Sequence, residues 1–468
     1  MCYTVSIYVG KGRVVLMKIV VIGCGKIGST VIASLAAEGH DVTAVDRDAT
    51  HLSEVVNVQD VIGVCGNGAD YDTLMEADIG KADMVVAATD SDEVNMLTCF
   101  MAGRMGAKNT IARIRQPEYN DRNLHFMKEQ LGLSMIINPE QLAAQALFHI
   151  LQLPSAAKVE TFSRRNFEMI ELQIREDSML VDIPLSKLRE KFKAKFLVCV
   201  VRRGNDVFVP DGRFVIKAGD RIGMTAQPAE IHKLLQSIHM SKKQVRDVML
   251  LGGSRTAFYL AKQLLASGTG VKILEIDRTL CEELCEELPG AMILSGDGTS
   301  REMLLEEGLR DMDAFVALTG MDEQNILMSI FATSQNVPKV IAKINRERMD
   351  TMARQLGLEC VVSPRKIIAD VLVRYARALQ NSLGSNVETL YSLMDGNAEA
   401  VEFSVRDDSR LVHKPLKELV LKPQTLIAGI LRGRESIIPT GDDVIKPGDN
   451  VVVVAAGRKL RDLSEILK

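Results

Sequence analysis

Three glycines near the start of the chain, Gly23, Gly25 and Gly28, have the spacing G-x-G-x-x-G. They follow a short β-branched apolar run and open a segment with helical periodicity, a context that makes the spacing specific. The first glycine permits a tight turn, the second lets a pyrophosphate approach the backbone and the helix N-terminus, and the third allows close helix packing. The alternative is a glycine-rich turn that holds no ligand. The candidate residues of this turn are Gly23, Cys24, Gly25, Lys26, Ile27 and Gly28.

Asp46 stands at the end of the second predicted strand and is followed by Arg47. A carboxylate at this position can accept hydrogen bonds from ribose hydroxyls. A 2′-phosphate would face the same carboxylate unfavourably, even with Arg47 beside it. The pattern therefore favours NAD(H) or an adenine nucleotide over NADP.

A second, altered copy of the turn lies in the later half of the chain, with Glu275 at the position of Asp46. Alanine is tolerated at its third glycine position, but Ser254 replaces the glycine that lets a phosphate come close. This copy could bind a nucleotide weakly, bind a different nucleotide, or be structural only. Its candidate residues are Gly252, Gly253, Ser254, Arg255, Thr256 and Glu275.

Two loops follow the third predicted strand of each half, at 66–68 and 296–298. In an open α/β fold of this kind the loop flanks an adenine, so Asn67 or Asp297 could hydrogen-bond the base. The alternative is a turn selected only for its backbone freedom.

Further candidates lie where the fourth and fifth predicted strands end. Thr89, Asp90 and Thr319 end the fourth strands, at the carboxyl edge where open α/β sheets bind ligands. Arg113 lies in an otherwise apolar fifth strand and needs an anionic partner, either a phosphate or nearby acidic residues. The acids of the segments 92–95 and 322–325 follow, and they could be site residues or simply complement a helix dipole.

These candidates recur because the chain contains an internal repeat with an offset of 229 or 230 residues. The first matching pair is AATDSDEVNML at 87–97 and ALTGMDEQNIL at 317–327. The other pairs are IARIR at 111–115 with IAKIN at 341–345, and PDGRFVIKAGD at 210–220 with PTGDDVIKPGD at 439–449. The sequence therefore predicts a tandem duplication.

Each repeat divides into two parts. Short apolar strands alternate with helical segments in the first part, which predicts a parallel sheet covered on both faces. Short alternating runs with Gly-rich turns in the second part predict a small antiparallel domain. The predicted fold is α/β: two Rossmann-like doubly wound parallel-sheet domains, each followed by a small β-rich α+β domain. The predicted segments are an N-terminal appendage (1–16), Rossmann-like domain 1 (17–138), a bridging helix (139–156), small domain 1 (157–240), Rossmann-like domain 2 (245–362), a second bridging helix (363–384) and small domain 2 (385–468).

Composition limits the classes of function. The net charge of −4 offers no basic surplus for a nucleic-acid duplex, so no nucleic-acid partner is predicted. The histidines form no cluster, and neither a Ser-His-Asp arrangement nor an HExxH motif is present, so no catalytic residue is predicted. The cysteines form no CxxC pair, which indicates free thiols in a reducing compartment and no metal site. No apolar run approaches the length of a membrane-spanning helix.

The motifs VIGCGKIG, AVDRD, the 66–68 loop, AATDSDEVN and IARIR, with their second-half counterparts, resemble those of the TrkA-type peripheral subunits of Trk potassium uptake systems. The two halves resemble the domains called RCK or KTN. The segments DSMLVDIPL, RRGNDVFVPDG and IKAGD are similar to the C-terminal part of those domains. The resemblance covers essentially residues 17–468.

The resemblance implies a soluble protein that assembles as a homo-oligomeric ring, of two or four chains, on the cytoplasmic face of the membrane. Its partner would be an integral-membrane potassium-translocating subunit, gated by NAD(H) and by ATP or ADP. Carried over by residue, Gly23, Gly25 and Gly28 would face the pyrophosphate, Asp46 the ribose and Thr89 the phosphate side. Arg113 would face a phosphate or an acidic partner.

An NAD-dependent oxidoreductase is the alternative from a different class. Such an enzyme needs a substrate domain that brings a general acid or base to the nicotinamide. The small domains supply no His/Lys/Asp constellation. The hypothesis of a regulatory subunit that senses a nucleotide is therefore preferred.

Overall fold

The computed structural model describes residues 16–116, 121–153, 158–162, 167–238, 245–381, 387–407, 409–460 and 462–468. Apart from residue 16, the predicted appendage lies outside the described residues. The described chain forms two bodies. The first contains the residues up to Ile137 together with those from Tyr375 to 381, and the second contains Asn138–Arg374 with the described residues from 387 onward.

The first body is built on a six-stranded, fully parallel sheet. Its strands are β1 (Lys18–Ile22), β2 (Asp41–Asp46), β3 (Ile62–Cys65), β4 (Met84–Ala87), β5 (Thr110–Arg113) and β6 (Met135–Ile137). Its helices are α1 (Lys26–Ala37), α2 (Ala49–Val56), α3 (Tyr71–Glu76), α4 (Asp92–Met105) and α5 (Asp121–Gln130), with a 3-10 turn at Ile79–Lys81. The strand order β3-β2-β1-β4-β5-β6 is that of a Rossmann domain.

Local sequence signals start these helices. The side chains of Asp48, Asp70 and Ser91 accept hydrogen bonds from backbone N–H groups in the first turns of α2, α3 and α4. Helix α4 ends at Gly106, whose φ of 113° is in the left-handed region. These caps set where each helix leaves the sheet edge, and so where the connecting loops gather.

The second body begins with α6 (Pro139–Gln152), which Asn138 caps through the N–H of Gln141. A small antiparallel sheet follows, with strands β7 (Lys158–Thr161), β8 (Glu168–Gln173), β9 (Phe196–Arg203), β10 (Asp206–Phe208) and β11 (Arg221–Ala226). Its helices are α7 (Leu185–Phe192) and α8 (Pro228–Ser237), and the strand order is β10-β9-β11-β8-β7. We call this the first small sheet.

The second Rossmann domain repeats the parallel order of the first, β14-β13-β12-β15-β16-β17. Its strands are β12 (Asp247–Leu251), β13 (Gly270–Glu275), β14 (Met292–Ser295), β15 (Ala314–Ala317), β16 (Lys339–Lys343) and β17 (Val361–Val362). Its helices are α9 (Arg255–Ala266), α10 (Arg278–Glu287), α11 (Arg301–Glu306), α12 (Asp322–Ser334) and α13 (Glu347–Gln355), with a 3-10 turn at Leu309–Asp311. Buried apolar residues of α6 join the core of this domain, and Asn138 donates a hydrogen bond to the Tyr259 hydroxyl at 3.1 Å.

Helix α14 (Pro364–Asn381) leads to the second small sheet, β18 (Val387–Leu393), β19 (Ala398–Ser404), β20 (Thr425–Arg432), β21 (Glu435–Ile437) and β22 (Asn450–Ala456), with 3-10 turns at Met394–Gly396, Leu416–Glu418 and Leu463–Ile466. The order β18-β19-β22-β20-β21 repeats that of the first small sheet read from the other edge. The end of α14 belongs to the first body, where the Arg377 guanidinium lies 2.6 Å from Glu38 after α1.

The predicted fold class is confirmed: two doubly wound parallel sheets alternate with two β-rich sheets. The predicted segment boundaries stay a prediction. Within the described residues, no helix is both long enough and apolar enough to span a membrane.

The two small sheets share one apolar core. Phe167 from the first half packs where Gly429 of β20 carries no side chain, and Met394 from the second half packs beside Gly223 of β11. A Cβ at Gly429 would lie 2.3 Å from the Phe167 ring. The glycine is therefore required by the approach of the ring.

We predict that Gly429→Ala lowers the free energy of unfolding by about 1–3 kcal/mol, because the added methyl overpacks this core. Urea unfolding measures it. Gly212→Ala is the control, since a Cβ there finds its nearest neighbour at an ordinary 3.5 Å. In a Phe167→Leu background the cost of Gly429→Ala should shrink, because the smaller side chain leaves room. An undiminished cost in that background would contradict the explanation.

Candidate functional site

The first glycine turn has the backbone shape that the sequence predicts. Gly23 has a φ of +98°, and a Cβ there would lie 2.9 Å from the backbone of Ala88 and Thr89. A Cβ at Gly28 would lie 1.7 Å from the Gly23 carbonyl oxygen. At Gly25, in contrast, a Cβ would find no atom within 4 Å. Two of the glycines are therefore required by the protein's own packing, and the third leaves open space in front of the turn.

That open space faces the N-terminus of α1. Gly25 is the N-cap residue, and no side chain caps the helix. The first N–H groups of a helix lack partners within it, so they and the dipole favour an anion at this end. Lys26 is exposed and Ile27 is half-buried. The turn thus combines available N–H donors with an exposed cation.

Asp46 braces the turn from the end of β2. Its Oδ2 accepts a hydrogen bond from the Cys24 N–H at 2.5 Å, and its Oδ1 accepts one from the Asp48 N–H at 2.8 Å. A carboxylate offers about four acceptor positions, so it can brace the turn and still accept a ribose hydroxyl. Arg47 is exposed beside it.

The Cys24 thiol is a packing group. Its side chain is buried, and burial, helped by the negative charge of Asp46, raises its pKa to about 12. The thiol therefore stays protonated at neutral pH and has no nucleophilic character there.

The ends of β4 and β5 are joined by a residue that the sequence analysis did not single out, Asn95 of α4. Its Oδ1 accepts hydrogen bonds from the N–H and hydroxyl of Thr89 at 2.8 and 2.7 Å. Its Nδ2 donates to the carbonyl of Arg113 at 2.9 Å. The Arg113 guanidinium donates to the Thr89 carbonyl at 3.2 Å and lies 4.0 Å from the exposed carboxylate of Asp90.

Asp92 has a structural part in this arrangement. Its carboxylate is almost fully buried and accepts the N–H groups of Arg115 and Gln116 at 2.7 and 2.9 Å. It thereby ties the start of α4 to the chain that follows β5, while Ser91 caps the helix. The repeated pattern D-E-x-N at 92–95 and 322–325 was the available signal for this pair of roles.

Asn67 lies close to the same edge, because the Gly66 N–H donates to the Asp46 carbonyl at 2.9 Å. The Asn67 side chain is exposed, and its Oδ1 accepts the Ala69 N–H at 3.1 Å. The structure therefore gathers the predicted residues of the first half around the carboxyl ends of β1, β2, β4 and β5. Their role as ligand-binding residues remains a prediction.

The second turn keeps this carboxylate contact, but a serine replaces the glycine that leaves open space in the first turn. Gly252 has a φ of +93°, and the Gly253 N–H donates to Glu275 Oε2 at 2.6 Å. The other oxygen of Glu275 accepts the N–H groups of Ile276 and Asp277 at 2.8 and 2.9 Å. Ser254 takes the position of Gly25. The Arg255 side chain is exposed and Thr256 is buried.

A cavity of about 360 Å³ opens at this second turn, and we call it the Ser254 cavity. This volume is in the range of small-molecule sites. It is lined by Leu251, Gly252, Ser254, Leu274, Glu275, Ile276, Leu280, Gly296, Asp297, Gly298, Thr299, Leu318, Thr319, Gly320, Met321 and Gln324. Its charged lining residues are the two carboxylates, Glu275 and Asp297. Hydrogen bonds from the Thr299 hydroxyl and N–H lower the pKa of Asp297, which keeps it ionised.

Ser254 Oγ is buried and has no hydrogen-bond partner among the described residues. A buried hydroxyl without a partner is unusual and needs an explanation, such as a water or ligand at that place. Because Ser254 lines the cavity, its hydroxyl is a candidate ligand contact.

The far side of the Ser254 cavity repeats the scaffold of the first half. Asn325 Oδ1 accepts the N–H and hydroxyl of Thr319 at 2.9 and 2.7 Å, and Asn325 Nδ2 donates to the Lys343 carbonyl at 2.9 Å. The Lys343 ammonium donates to the Leu318 carbonyl at 2.9 Å. Burial lowers the pKa of Lys343, although Asp322 and Glu140 raise it in part.

Two family profiles match the chain in alternation. The one described as the TrkA-N domain matches residues 19–139 and 248–364, and the one described as the TrkA-C domain matches 169–239 and 400–468. The Trk system potassium uptake protein TrkA homolog of Archaeoglobus fulgidus is 33% identical over 452 residues, which cover 97% of this chain and 100% of that protein. Trk system potassium uptake protein TrkA of Vibrio alginolyticus is 30% identical over 450 residues, 95% of this chain and 96% of that protein. The chain belongs to the TrkA family.

The solved structures that resemble this TrkA-family chain share its fold. The GsuK channel matches with a TM-score of 0.62 and 15% identity, covering 96% of this chain and 78% of that one. The GsuK channel bound to NAD matches with a TM-score of 0.60 and 14% identity over the same shares. At these identities the likeness concerns the fold alone.

Asp322 is the first residue of the D-E-x-N pattern in the second half, and its carboxylate tests whether that pattern stabilises the fold. Burial raises the pKa of its carboxyl, but hydrogen bonds from Asn345 and Arg346 outweigh this, so the pKa lies below its ordinary value. A lowered pKa in the folded state gives stability that is present above the unfolded pKa of about 3.9 and is lost as pH falls below it.

We predict that Asp322→Asn lowers the free energy of unfolding at pH 7 by about 1–3 kcal/mol, because an amide nitrogen cannot accept these N–H groups. The difference from the unchanged protein should shrink between pH 5 and pH 3, as measured by urea unfolding. Glu306→Gln, at an exposed position of α11, is the control and should change little. A difference that stays constant down to pH 3 would count against the hydrogen-bonded carboxylate.

Proposed function

We propose that this chain is a nucleotide-sensing regulatory subunit of a Trk-type potassium uptake system. It would bind NAD(H) in the first Rossmann domain, with ATP or ADP as further ligands, and would sense the nucleotide without consuming it. Its partner would be an integral-membrane potassium-translocating subunit, contacted from the cytoplasmic face by a homo-oligomeric ring. Membership of the TrkA family supports a partner in potassium uptake, since its relatives are named for that process.

One observation carries the nucleotide part of the proposal. Gly25 leaves open space before the uncapped N-terminus of α1, at the carboxyl edge of a sheet in Rossmann order. A pyrophosphate fits this place, because backbone N–H groups and the helix dipole favour the anion there. Asp46 stands where ribose hydroxyls would reach it, and its charge disfavours a 2′-phosphate.

The two Rossmann domains differ in ways that predict different ligand preferences. Arg47 and Gly25 of the first domain correspond to Ile276 and Ser254 of the second. The first turn therefore has a nearby cation and room for close phosphate approach. At the second, a hydroxyl occupies that room and Glu275 and Asp297 supply negative charge. We infer that a pyrophosphate group binds more tightly at the first turn than at the second.

A regulatory role requires that the ligand bind one conformation better than another. A coupling free energy of about 1–3 kcal/mol changes an equilibrium by 5–150-fold, which is sufficient for gating. Asp46 is the residue that could transmit occupancy at the first turn, because it touches both the turn and the start of the chain after β2. A ligand that orders this brace would stiffen the sheet edge.

The oxidoreductase alternative lacks support. The titratable side chains that line the Ser254 cavity are Glu275 and Asp297, and both accept hydrogen bonds from nearby backbone N–H groups. In the first turn the Cys24 thiol is held protonated. These groups brace the loops and are poorly placed to transfer a proton to a substrate.

We predict that Gly25→Asp weakens NADH binding at least tenfold, because its carboxylate would occupy the phosphate position. Titration calorimetry measures this. Thermal unfolding should change little, since a side chain there meets open space. Gly25→Ala separates size from charge and should weaken binding less. Gly103→Ala, on α4, is the distant control. Unchanged NADH affinity in Gly25→Asp would refute the site.

We predict that Ser254→Gly strengthens dinucleotide binding in the second domain several-fold, because the glycine restores close phosphate approach. The measurement is titration with NADH in a Gly25→Asp background, so that only the second domain reports. Thr256→Ser is the matched control, because it conserves a hydroxyl at a neighbouring position. A weaker affinity in Ser254→Gly would instead indicate that the serine hydroxyl binds the ligand.

The functional test is potassium flux in vesicles that contain the membrane subunit together with this chain. NADH or ADP should change the flux, and Gly25→Asp should abolish the response to NADH while leaving assembly intact. The absorbance of NADH should stay constant throughout. A potassium flux that is the same with and without NADH or ADP would refute the regulatory role. Steady oxidation of NADH would favour the oxidoreductase.

A further inference from the structure

A cluster of charged side chains, between 2% and 27% exposed, lies at the turn between β18 and β19. Asp395 Oδ2 lies 2.6 Å from the Arg202 guanidinium of β9 and 3.4 Å from that of Arg221 on β11. Its Oδ1 lies 3.3 Å from the guanidinium of Arg354 on α13. Arg221 in turn lies 2.6 Å from Glu171 of β8. One aspartate of the second small sheet thus joins two arginines of the first small sheet with one of the second Rossmann domain.

The turn that carries this aspartate has a strained backbone. Met394, Asp395 and Gly396 have φ values of 49°, 61° and 96°, all in the left-handed region. This conformation is unfavourable for non-glycine residues and persists only where the surroundings enforce it. The enforcing contacts are visible: Met394 is fully buried, and its N–H donates to Glu171 Oε1 at 3.1 Å.

Arg354 is the exchangeable member of the cluster. Its Nε also donates to Asp350, one turn back on α13, at 2.9 Å, and its side chain is 22% exposed. It can therefore leave Asp395 and keep a partner. Asp395 would keep Arg202 and Arg221. Separation of the Arg354–Asp395 pair would therefore leave no charge of the cluster without a partner.

A continuous set of contacts leads from Arg354 to the Ser254 cavity. Thr319 lines the cavity and is held by Asn325 of α12. At the start of α12, the Asp322 carboxylate accepts the N–H groups of Asn345 and Arg346, both at 3.0 Å, and Arg346 is the N-cap of α13. Hydrogen bonds therefore tie the start of helix α13 to the wall of the cavity.

We propose that the Arg354–Asp395 pair is a coupling contact that transmits occupancy of the Ser254 cavity to the paired small sheets. The inference rests on the proposed function, in that a nucleotide enters this cavity. Arg354 and Asp395 are positioning residues here, because neither touches the cavity. Burial raises the pKa of the Asp395 carboxyl, but the positive charges of Arg221, Arg354, Lys366 and Arg202 outweigh this effect. The pKa therefore lies below its ordinary value, and the carboxylate stays ionised.

The test is hydrogen–deuterium exchange of the full chain with and without ADP, resolved by peptide. ADP should slow exchange at the second turn, and also, by roughly fivefold or more, at β9 and the 394–397 turn. Arg354→Met should keep the first effect and lose the second. Arg354→Lys, which keeps the charge, should restore a part of it. Arg348→Met, an exposed arginine of the same helix, should behave as the unchanged protein. Asp350→Asn removes the second partner of Arg354 and should weaken the effect at β9.

The outcomes separate the inference from the proposed function. Slowing at β9 that survives Arg354→Met, or slowing confined to the second turn in the unchanged protein, would overturn the coupling and leave nucleotide binding intact. No slowing at the second turn would refute binding in the Ser254 cavity, and the coupling would fall with it. Ser254→Asp, which places a carboxylate in the cavity, should abolish both effects, which excludes a signal from the first domain. If Arg354→Met unfolds, Arg354→Lys and Asp350→Asn decide, because both should weaken the slowing at β9 and leave the slowing at the second turn unchanged.

Discussion

The conformation of each glycine turn depends on a carboxylate at the end of the second strand that accepts a hydrogen bond from a backbone N–H inside the turn. Asp46 does this for Cys24, and Glu275 does it for Gly253. The brace leaves a negative charge a few ångströms from the place that suits a phosphate. The helix dipole must outweigh that charge for a pyrophosphate to bind. The carboxylate therefore marks the ribose side of the crevice, and the helix N-terminus marks the phosphate side.

Contacts that both halves share indicate what the fold requires, whereas positions that differ indicate where ligand binding can diverge. Both halves keep the brace, the positive φ at the first glycine, and the asparagine that joins the fourth and fifth strands. These are requirements of the fold. The differences, Gly25 against Ser254 and Asp90 against Gly320, lie in the loops and leave the sheet unchanged. A duplicated scaffold can diverge at such positions without loss of stability, which is why we expect two distinct ligand preferences.

The fold was predictable because the repeat shows the same alternation twice, and apolar runs fix strands in both copies. The backbone conformations at Gly23 and Gly28 were also predictable, since at each position a side chain would clash with neighbouring backbone atoms. Asn95 was not, because its partners Thr89 and Arg113 meet only after two strands align. The second bond of Asp46, to Asp48, is local, but the first depends on the parallel register of β1 and β2. Glycine spacing indicates where a ligand could lie, whereas side-chain contacts across strands require the register.

The Asp395 cluster was beyond prediction for the same reason, since Arg202 and Asp395 are far apart in the chain and meet only when the two small sheets pack. Buried ion pairs add little net stability, because desolvation offsets their attraction, but removal of one partner is costly. A hydrophobic cluster would have held the sheets together at least as well. A charged cluster instead fixes one relative placement of the sheets, and an arginine with a second partner can leave without large cost. Close-packed cores transmit such shifts and do not absorb them. A change in one small sheet therefore reaches the other, which is the mechanical property that a regulatory subunit needs.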